Sequence, residues 1–199
     1  DHLFWRERME RLANALSLFL GLVFLGGGMS KLFAAHAFPG LMGPVWLEEA
    51  LEPHGLALYG HFIAWSQALI GYTLFTLLLR SLGAVLLVPL VVNILMVTIS
   101  LDWRGTPYVV AGFLVMTGLI LLIDRKRFAP LLGRPYPHGR PIAWRELLVW
   151  TAGLCVFAMG APVSHVSLPL GYGLSAAGIA LGLLAWWRHR RVTSAGTNP

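Results

Sequence analysis

Residues 82–101 read LGAVLLVPLVVNILMVTISL, a stretch without a single charged side chain. A helix rises about 1.5 Å per residue, so about 20 apolar residues cross the roughly 30 Å hydrocarbon core of a lipid bilayer. Five more stretches of the chain are similarly long and apolar. The sequence therefore predicts about six transmembrane helices, over residues 12–34, 57–79, 82–101, 107–123, 147–163 and 168–187.

The composition of the whole chain agrees with these stretches. Of its residues, 57% are hydrophobic and 12% are charged, whereas a soluble domain carries about 25% charged residues. The predicted fold class is therefore an all-α, polytopic transmembrane helix bundle, with residues 1–199 forming a single membrane domain. The one cysteine, Cys155, lies inside an apolar stretch. It cannot form an intrachain disulfide, which argues against thiol–disulfide chemistry.

Lysine and arginine mark one side of the membrane. Basic residues are concentrated in the N-terminal segment, at Arg80, in the connection 124–146 and in the tail at 188–191, whereas the connections 35–56 and 164–167 have none. The positive-inside rule then predicts that both termini are cytoplasmic, in a multi-pass protein of the inner (cytoplasmic) membrane. These clusters also explain the net charge of +6. We therefore expect anionic membrane lipids as partners, and no nucleic acid.

The first apolar stretch has one alternative interpretation. The arginines before it, the apolar run and the sequence Ala35-His36-Ala37 together resemble a cleavable signal peptide with an A-x-A site. The run over residues 12–34 is longer than the roughly 7–15 residues typical of a signal-peptide core. This length favours a retained transmembrane helix.

Small residues recur at helical spacing, a pattern that lets helices approach closely in a membrane. They form two stripes: Gly60, Ala64, Ala68 and Gly71 in the second helix, and Gly178 and Gly182 in the sixth. Pro89 is expected to kink the third helix, because proline removes a backbone donor. The three glycines at positions 26–28 are expected to loosen the outer end of the first helix.

Ionisable side chains inside a membrane segment are functional candidates by default. Lys31 lies about one turn from the outer end of the first helix, His61 about one turn into the second, and Asp102 at the outer end of the third. Two interpretations remain open. Lys31 either extends to the lipid headgroups and pairs with Asp102 or a loop glutamate, or joins His61 and Asp102 in a polar pocket for a quinone or lipid headgroup.

Uncharged polar side chains lie deeper in the predicted helices. Gln67 and Asn93 fall near the middle of the second and third helices, and Ser100 shares the helix face of Asn93. We expect these three side chains to form interhelical hydrogen bonds rather than to contact a ligand.

The first outer loop is acidic and carries an aromatic residue. Trp46, Glu48, Glu49 and Glu52 lie in the segment 44–52, which predicts a short amphipathic helix on the membrane surface. Its charge makes these four residues candidates for docking a partner subunit of a larger membrane complex.

Several kinds of cofactor site lack the residues they need. A haem buried between helices usually needs two axial ligands, and His61 alone qualifies, so haem is not expected. No Cys/His spacing resembles a zinc site, and we predict no metal ligands. Catalytic residues cannot be assigned from the sequence. No phosphate-binding glycine pattern follows a strand.

Two short motifs resemble the DoxX-like membrane protein family. The first is GLVFLGGGMSKLF at residues 21–33, with Lys31-Leu32 near the outer end of its helix. The second is SQALIGYTL at residues 66–74, followed by Arg80 and another apolar helix. The resemblance implies a four-helix DoxX-like core over about residues 12–127. The helix pair within 144–191 would then be an addition to that core.

The resemblance also implies a function. The family name links the chain to DoxD, the membrane subunit of a thiosulfate:quinone oxidoreductase, and so to a quinone-linked redox complex with quinone as its possible cofactor. Only Lys31 and position 67 carry over, and the family often has Glu where this chain has Gln67, which removes a charge. A non-catalytic structural or assembly subunit is the alternative. A transporter or lipid-handling protein, which needs a polar cavity at the midplane, is the third hypothesis.

Overall fold

The computed structural model describes residues 2–41, 43, 49, 51–132 and 141–195. These residues form α-helices, with short 3₁₀ turns between them and no β-strand, which confirms the all-α fold class. The helices are α1 (His2–Leu32), α2 (Ala57–Phe75), α3 (Arg80–Ser100), α4 (Thr106–Asp124), α5 (Trp144–Ser164) and α6 (Leu168–Ala195). The 3₁₀ turns are Ala34–His36, Glu52–His54 and Arg125–Leu132.

Five of the described helices are long and apolar enough to cross a membrane, judged by length and composition. They lie at Glu7–Leu32, Arg80–Ser100, Thr106–Phe128, Trp144–Ser164 and Leu168–Val192. The remaining helix, α2, carries His61 and Gln67 and is not among the five. It also ends at Phe75, earlier than the predicted 57–79, because the chain turns at Leu77, whose φ is 62°.

Glycines bring α1 and α2 into backbone contact. A Cβ atom added to Gly28 would lie 2.5 Å from the carbonyl oxygen of Ala64, and one added to Gly71 would lie 2.6 Å from the Cα of Leu25. Real Cβ atoms do not approach other atoms this closely. Ala64, Ala68 and Gly71 from the predicted stripe are therefore on the face of α2 that packs against α1.

The α5–α6 pair is built in the same way. A Cβ on Gly178 would lie 2.5 Å from the carbonyl oxygen of Gly153, and one on Gly160 would lie 2.9 Å from that of Gly171. The two glycines of the predicted GxxxG pattern have different neighbours. Gly178 packs against α5, whereas a Cβ on Gly182 would lie 2.5 Å from the Thr76 side chain, just beyond α2.

Aromatic and hydroxyl side chains join α5–α6 to α2. Tyr72 is fully buried, and its hydroxyl donates a hydrogen bond of 3.0 Å to the carbonyl of Gly178. The indole Nε1 of Trp150 donates to Oγ1 of Thr76 at 2.8 Å. The Phe157 ring packs on Tyr72 with centroids 5.0 Å apart. Every polar atom brought into this joint has a partner, as burial requires.

The α3–α4 pair packs against α1 on a different side from the α5–α6 pair. Leu20, Val23 and Phe24 of α1 form an apolar core with side chains such as Leu87 of α3 and Phe113 of α4. The α1–α2 hairpin therefore lies between two other hairpins. Helix α3 continues through Pro89 from Arg80 to Ser100 as one element.

The glycine contacts between α1 and α2 generate a testable prediction. Gly71→Val should destabilise the protein, because overpacking against a neighbouring backbone costs about 1–3 kcal/mol or more. Gly118→Val in α4 is the matched control, since a Cβ there meets no atom within 4 Å. Thermal unfolding in detergent should show a lower midpoint for Gly71→Val alone. Equal midpoints in the two variants would contradict the packing described here.

Candidate functional site

A partly open cavity of about 80 Å³ lies among the first four helices, beside the C-terminal half of α1. Its apolar walls include Val23 and Phe24 of α1, Ile63 of α2, Ile94 of α3 and Val110 of α4. Its polar lining residues are Lys31, Gln67, Thr98 and Thr106. An apolar pocket with a few convergent polar groups is the usual form of a small-molecule site. We call it the Lys31 cavity.

The Lys31 side chain bonds within the α1–α2 helix pair. Its Nζ donates to Oε1 of Gln67 at 3.0 Å and to the carbonyl of Gly27 at 2.6 Å. Lys31 forms no ion pair with any described residue. An ammonium has three N–H donors, so one donor is not used by any described residue. The cavity thus contains a half-buried positive charge with an amide as its side-chain partner.

Gln67 contributes a second donor. Because a lysine ammonium can only donate, the amide oxygen of Gln67 must face Lys31, which leaves the amide N–H₂ for another partner. That nitrogen bonds to no described residue. Within the described part of the chain, no fully buried polar side-chain atom lacks a partner. Two hydrogen-bond donors therefore converge in an apolar cavity.

The three consecutive glycines of α1 make this arrangement possible. The helix was expected to loosen here, but it continues without a break to Leu32. Gly28 lets α2 pack against the α1 backbone. The carbonyl of Gly27 accepts a hydrogen bond from Lys31. Gly26 contacts the segment that follows the helix. A Cβ on Gly26 would lie 3.0 Å from the carbonyl oxygen of Pro39. Each glycine thus permits a different close contact.

The chain returns along α1 after leaving it. Residues 37–41, here called the return segment, pass Ser30 and Gly26, and a Cβ on Gly40 would lie 2.8 Å from Oγ of Ser30. Further on, Gly43 has a left-handed φ of 104° and borders the Lys31 cavity. Gly43, predicted only as part of an outer loop, therefore forms one edge of the site.

Of the three residues predicted to form a headgroup pocket, Lys31 alone lines the Lys31 cavity. Asp102 is exposed, and its side chain makes no hydrogen bond or ion pair with a described residue, so the expected Lys31–Asp102 pair is absent from the described chain. His61 is exposed on α2 and does not line the cavity. The neighbour of Asp102, Trp103, lines it instead. Sequence position indicates how far along a helix a polar residue lies, but not the direction in which its side chain points.

The other predicted polar residues have separate positions. Gln67 links α2 to α1, and Asn93 accepts a hydrogen bond from the Tyr59 hydroxyl, which links α3 to α2. Ser100 is exposed and makes no side-chain hydrogen bond to a described residue.

The predicted docking surface is only partly described. Trp46 and Glu48 lie outside the described residues, as does most of the proposed surface helix over 44–52. Glu49 is exposed, and Glu52 is exposed at the start of the 3₁₀ turn Glu52–His54.

A buried ion cluster, which sequence reasoning missed, closes the opposite end of the same helices. Arg80 and Asp124 side chains are 3% and 1% exposed and form a two-point contact, with Nε–Oδ2 at 3.0 Å and Nη2–Oδ1 at 2.5 Å. Arg80 also donates to Glu10 at 3.0 Å and to Asn14, both in α1. Ser81 donates to Asp124 at 2.6 Å. We call these five residues the Arg80 cluster.

The Arg80 cluster has a structural role. It joins α1, α3 and the end of α4 through charge-assisted hydrogen bonds, which are the strong ones in proteins. Arg80 had been counted only as a marker of topology. The available signal was Asp124, a single acid between an apolar stretch and the basic run 125–127.

Comparison with known proteins adds no relative. No protein-family model, no curated protein and no solved structure matches this sequence. The DoxX-like resemblance therefore stays a prediction. In the described part of the chain, no group of three or more His, Cys, Asp or Glu side chains is placed to hold a metal ion.

The Arg80 cluster predicts a large loss of stability on removing one charge. Asp124→Asn would leave the Arg80 guanidinium buried without its closest counter-charge, which costs about 3–5 kcal/mol. The control is Arg127→Gln, because the Arg127 side chain is 43% exposed and its contacts to Glu10 and Asp124 are long, at 3.6 and 3.7 Å. Unfolding in detergent should show a strong effect for the first variant and a small one for the second. Similar effects would contradict the role assigned to Asp124.

Proposed function

We propose that this chain is a multi-pass membrane subunit of a quinone-linked redox complex and that it binds a quinone in the Lys31 cavity. The observation that carries the proposal is the convergence of Lys31 Nζ and the Gln67 amide in an apolar cavity. A quinone presents carbonyl acceptors on an apolar ring, and these two donors suit a carbonyl. A hydrogen bond to a charged donor contributes about 1.5–3 kcal/mol.

The size of the cavity limits how a quinone is held. Its volume is about 80 Å³, smaller than the roughly 150 Å³ apolar cavity that accommodates benzene in an engineered protein. The proposed pose therefore places one carbonyl edge of the ring inside, against Lys31 and Gln67. The rest of the ring lies in the opening, and the apolar tail extends into the membrane. This chain binds and orients the quinone, and a partner subunit supplies the electrons.

In the proposed topology the chain crosses the inner (cytoplasmic) membrane six times, and both termini lie in the cytoplasm. Support for α2 as the sixth crossing comes from its antiparallel packing along α1: Phe75 lies beside Gly21, and Ala64 beside Gly28. Because Arg80, which follows α2 and its short connection, contacts Glu10 near the start of α1, the chain from Ala57 to Arg80 runs along the α1 span. Gln67 faces α1, so its polarity is directed away from lipid. The distribution of arginine supports the orientation.

A structural or assembly subunit is the second candidate function. The observation in its favour is that the Arg80 cluster and the Tyr72–Trp150 joint commit their polar groups to holding helices together. In this case the exposed Glu49 and Glu52 would contact a partner subunit. Substitution at Lys31 would then leave the activity of the complex intact.

Labelling of single cysteines tests the proposed topology. In a Cys155→Ala background, Glu52→Cys should react with a membrane-impermeant maleimide in intact cells, and Lys126→Cys should react only after lysis. Three crossings, α2, α3 and α4, separate these two exposed residues, which places them on opposite sides. If both cysteines react from the same side, the number of crossings between them is even and the six-crossing topology is wrong.

Quinone titration tests the proposed site. Trp103 borders the cavity, so a bound short-chain ubiquinone or menaquinone should quench tryptophan fluorescence of the purified protein. Lys31→Met should weaken binding about 10-fold or more, since 1.4 kcal/mol corresponds to a factor of ten. Gln67→Glu should also weaken quinone binding. The new carboxylate would form an ion pair with Lys31, and the amide N–H₂ donor would be lost.

The control for the titration is Asp102→Asn. Because Asp102 is exposed and lies outside the cavity, this variant should bind quinone like the wild type. Thermal unfolding of each variant separates a lost contact from a lost fold. An unchanged dissociation constant in folded Lys31→Met would contradict the proposed site. Wild-type protein that binds neither quinone, yet co-purifies with other subunits, would favour the structural alternative.

A further inference from the structure

A second cavity, of about 290 Å³, lies across α1 from the Lys31 cavity. Leu22, Leu25 and Gly26 of α1 form one wall, and Phe75 of α2 and Ile179 of α6 form the others. The return segment, with Phe38, covers it toward the outer end of α1. We call this space the inter-hairpin cavity, because it separates the α1–α2 hairpin from α6.

The lining of the inter-hairpin cavity suits hydrocarbon. The side chains around it are aliphatic, aromatic or absent, and none is ionisable. A water molecule needs about two to four polar partners, and an apolar cavity of about 150 Å³ stays dry and accepts benzene. If the inter-hairpin cavity were empty, the side chains that line it would have no dispersion contacts on that side.

The cavity cannot close by collapse of its walls. The α1–α2 pair is fixed by glycine contacts, and α6 is fixed to α2 by the hydrogen bond from Tyr72 to Gly178. The return segment is also anchored, because the Tyr172 hydroxyl donates to the carbonyl of Ala37 at 2.5 Å. The Phe38 ring stacks on Tyr172 with centroids 6.1 Å apart.

The position of the cavity along α1 indicates that lipid acyl chains are the hydrocarbon nearest to it. Residues 22–26 precede the outer end of α1 by six to ten residues, or about 9–15 Å at 1.5 Å per residue. This part of α1 lies inside the candidate span Glu7–Leu32, where the surrounding solvent is lipid tails. Leu22 is 46% exposed and Leu41 is 61% exposed, so the cavity is open at its side.

We propose that the inter-hairpin cavity is a binding site for one acyl chain of a membrane phospholipid, which enters from the side beneath the return segment. The bound chain is a fixed part of the contact between the α1–α2 hairpin and α6. This proposal stands whether or not the Lys31 cavity binds a quinone, because the two cavities lie on different faces of α1.

Native mass spectrometry of the purified full chain tests the site. After washing in mild detergent, wild-type protein should retain one phospholipid per chain. Ile179→Trp fills the cavity and should lose that lipid, whereas Leu184→Trp, at an exposed position of α6 outside the cavity, should keep it. Leu22→Phe fills the cavity less and should reduce lipid occupancy if Ile179→Trp does not fold.

Photo-crosslinking gives a second readout on the unmodified protein. Phosphatidylglycerol with a diazirine near the end of one acyl chain should label peptides that contain Leu22–Leu25 and Ile179 before other lipid-facing sites. Labelling spread evenly over α3 and α4, wild-type protein without retained phospholipid, or a quinone in place of the phospholipid would each overturn the proposal. Equal lipid loss from Ile179→Trp and Leu184→Trp would also overturn it.

Discussion

The backbone contact between α1 and α2 is the constraint on which the rest of the structure depends. Helices in lipid gain little from apolar burial against each other, so their association relies on close packing and on hydrogen bonds. Gly21, Gly28 and Gly71 let the two helices meet without side chains between them. That distance places Gln67 within hydrogen-bond reach of Lys31. It also presents two surfaces, on which the α3–α4 and α5–α6 pairs pack.

Three groups of polar side chains in the described helices differ in how fully their donors are used. In the Arg80 cluster and in the Tyr72–Trp150 joint, donors and acceptors satisfy one another inside the protein. At the Lys31 cavity, an ammonium and an amide each keep a donor that no described residue accepts. An incompletely satisfied polar pair is costly in an apolar setting. This difference separates a candidate binding site from groups that hold helices together.

The sequence predicted the features that depend on one helix at a time. Long apolar stretches located the helices, and the stripe Ala64–Ala68–Gly71 lies where it was expected. The pairing of Lys31 with Gln67, and of Arg80 with Asp124, depends on how separate helices rotate against each other, which hydropathy does not encode. The return segment was missed because its apolar residues and glycines read as an ordinary loop.

The Arg80 cluster has a consequence for how the chain is made. Its members are far apart in sequence: Arg80 follows Glu10 by 70 residues and precedes Asp124 by 44. During synthesis the guanidinium emerges well before its main acceptor, and it lacks its closest counter-charge until the fourth helix has been made. Closure of the cluster therefore requires α1, α3 and α4 to be in place, and it is a late step in the assembly of this part of the bundle.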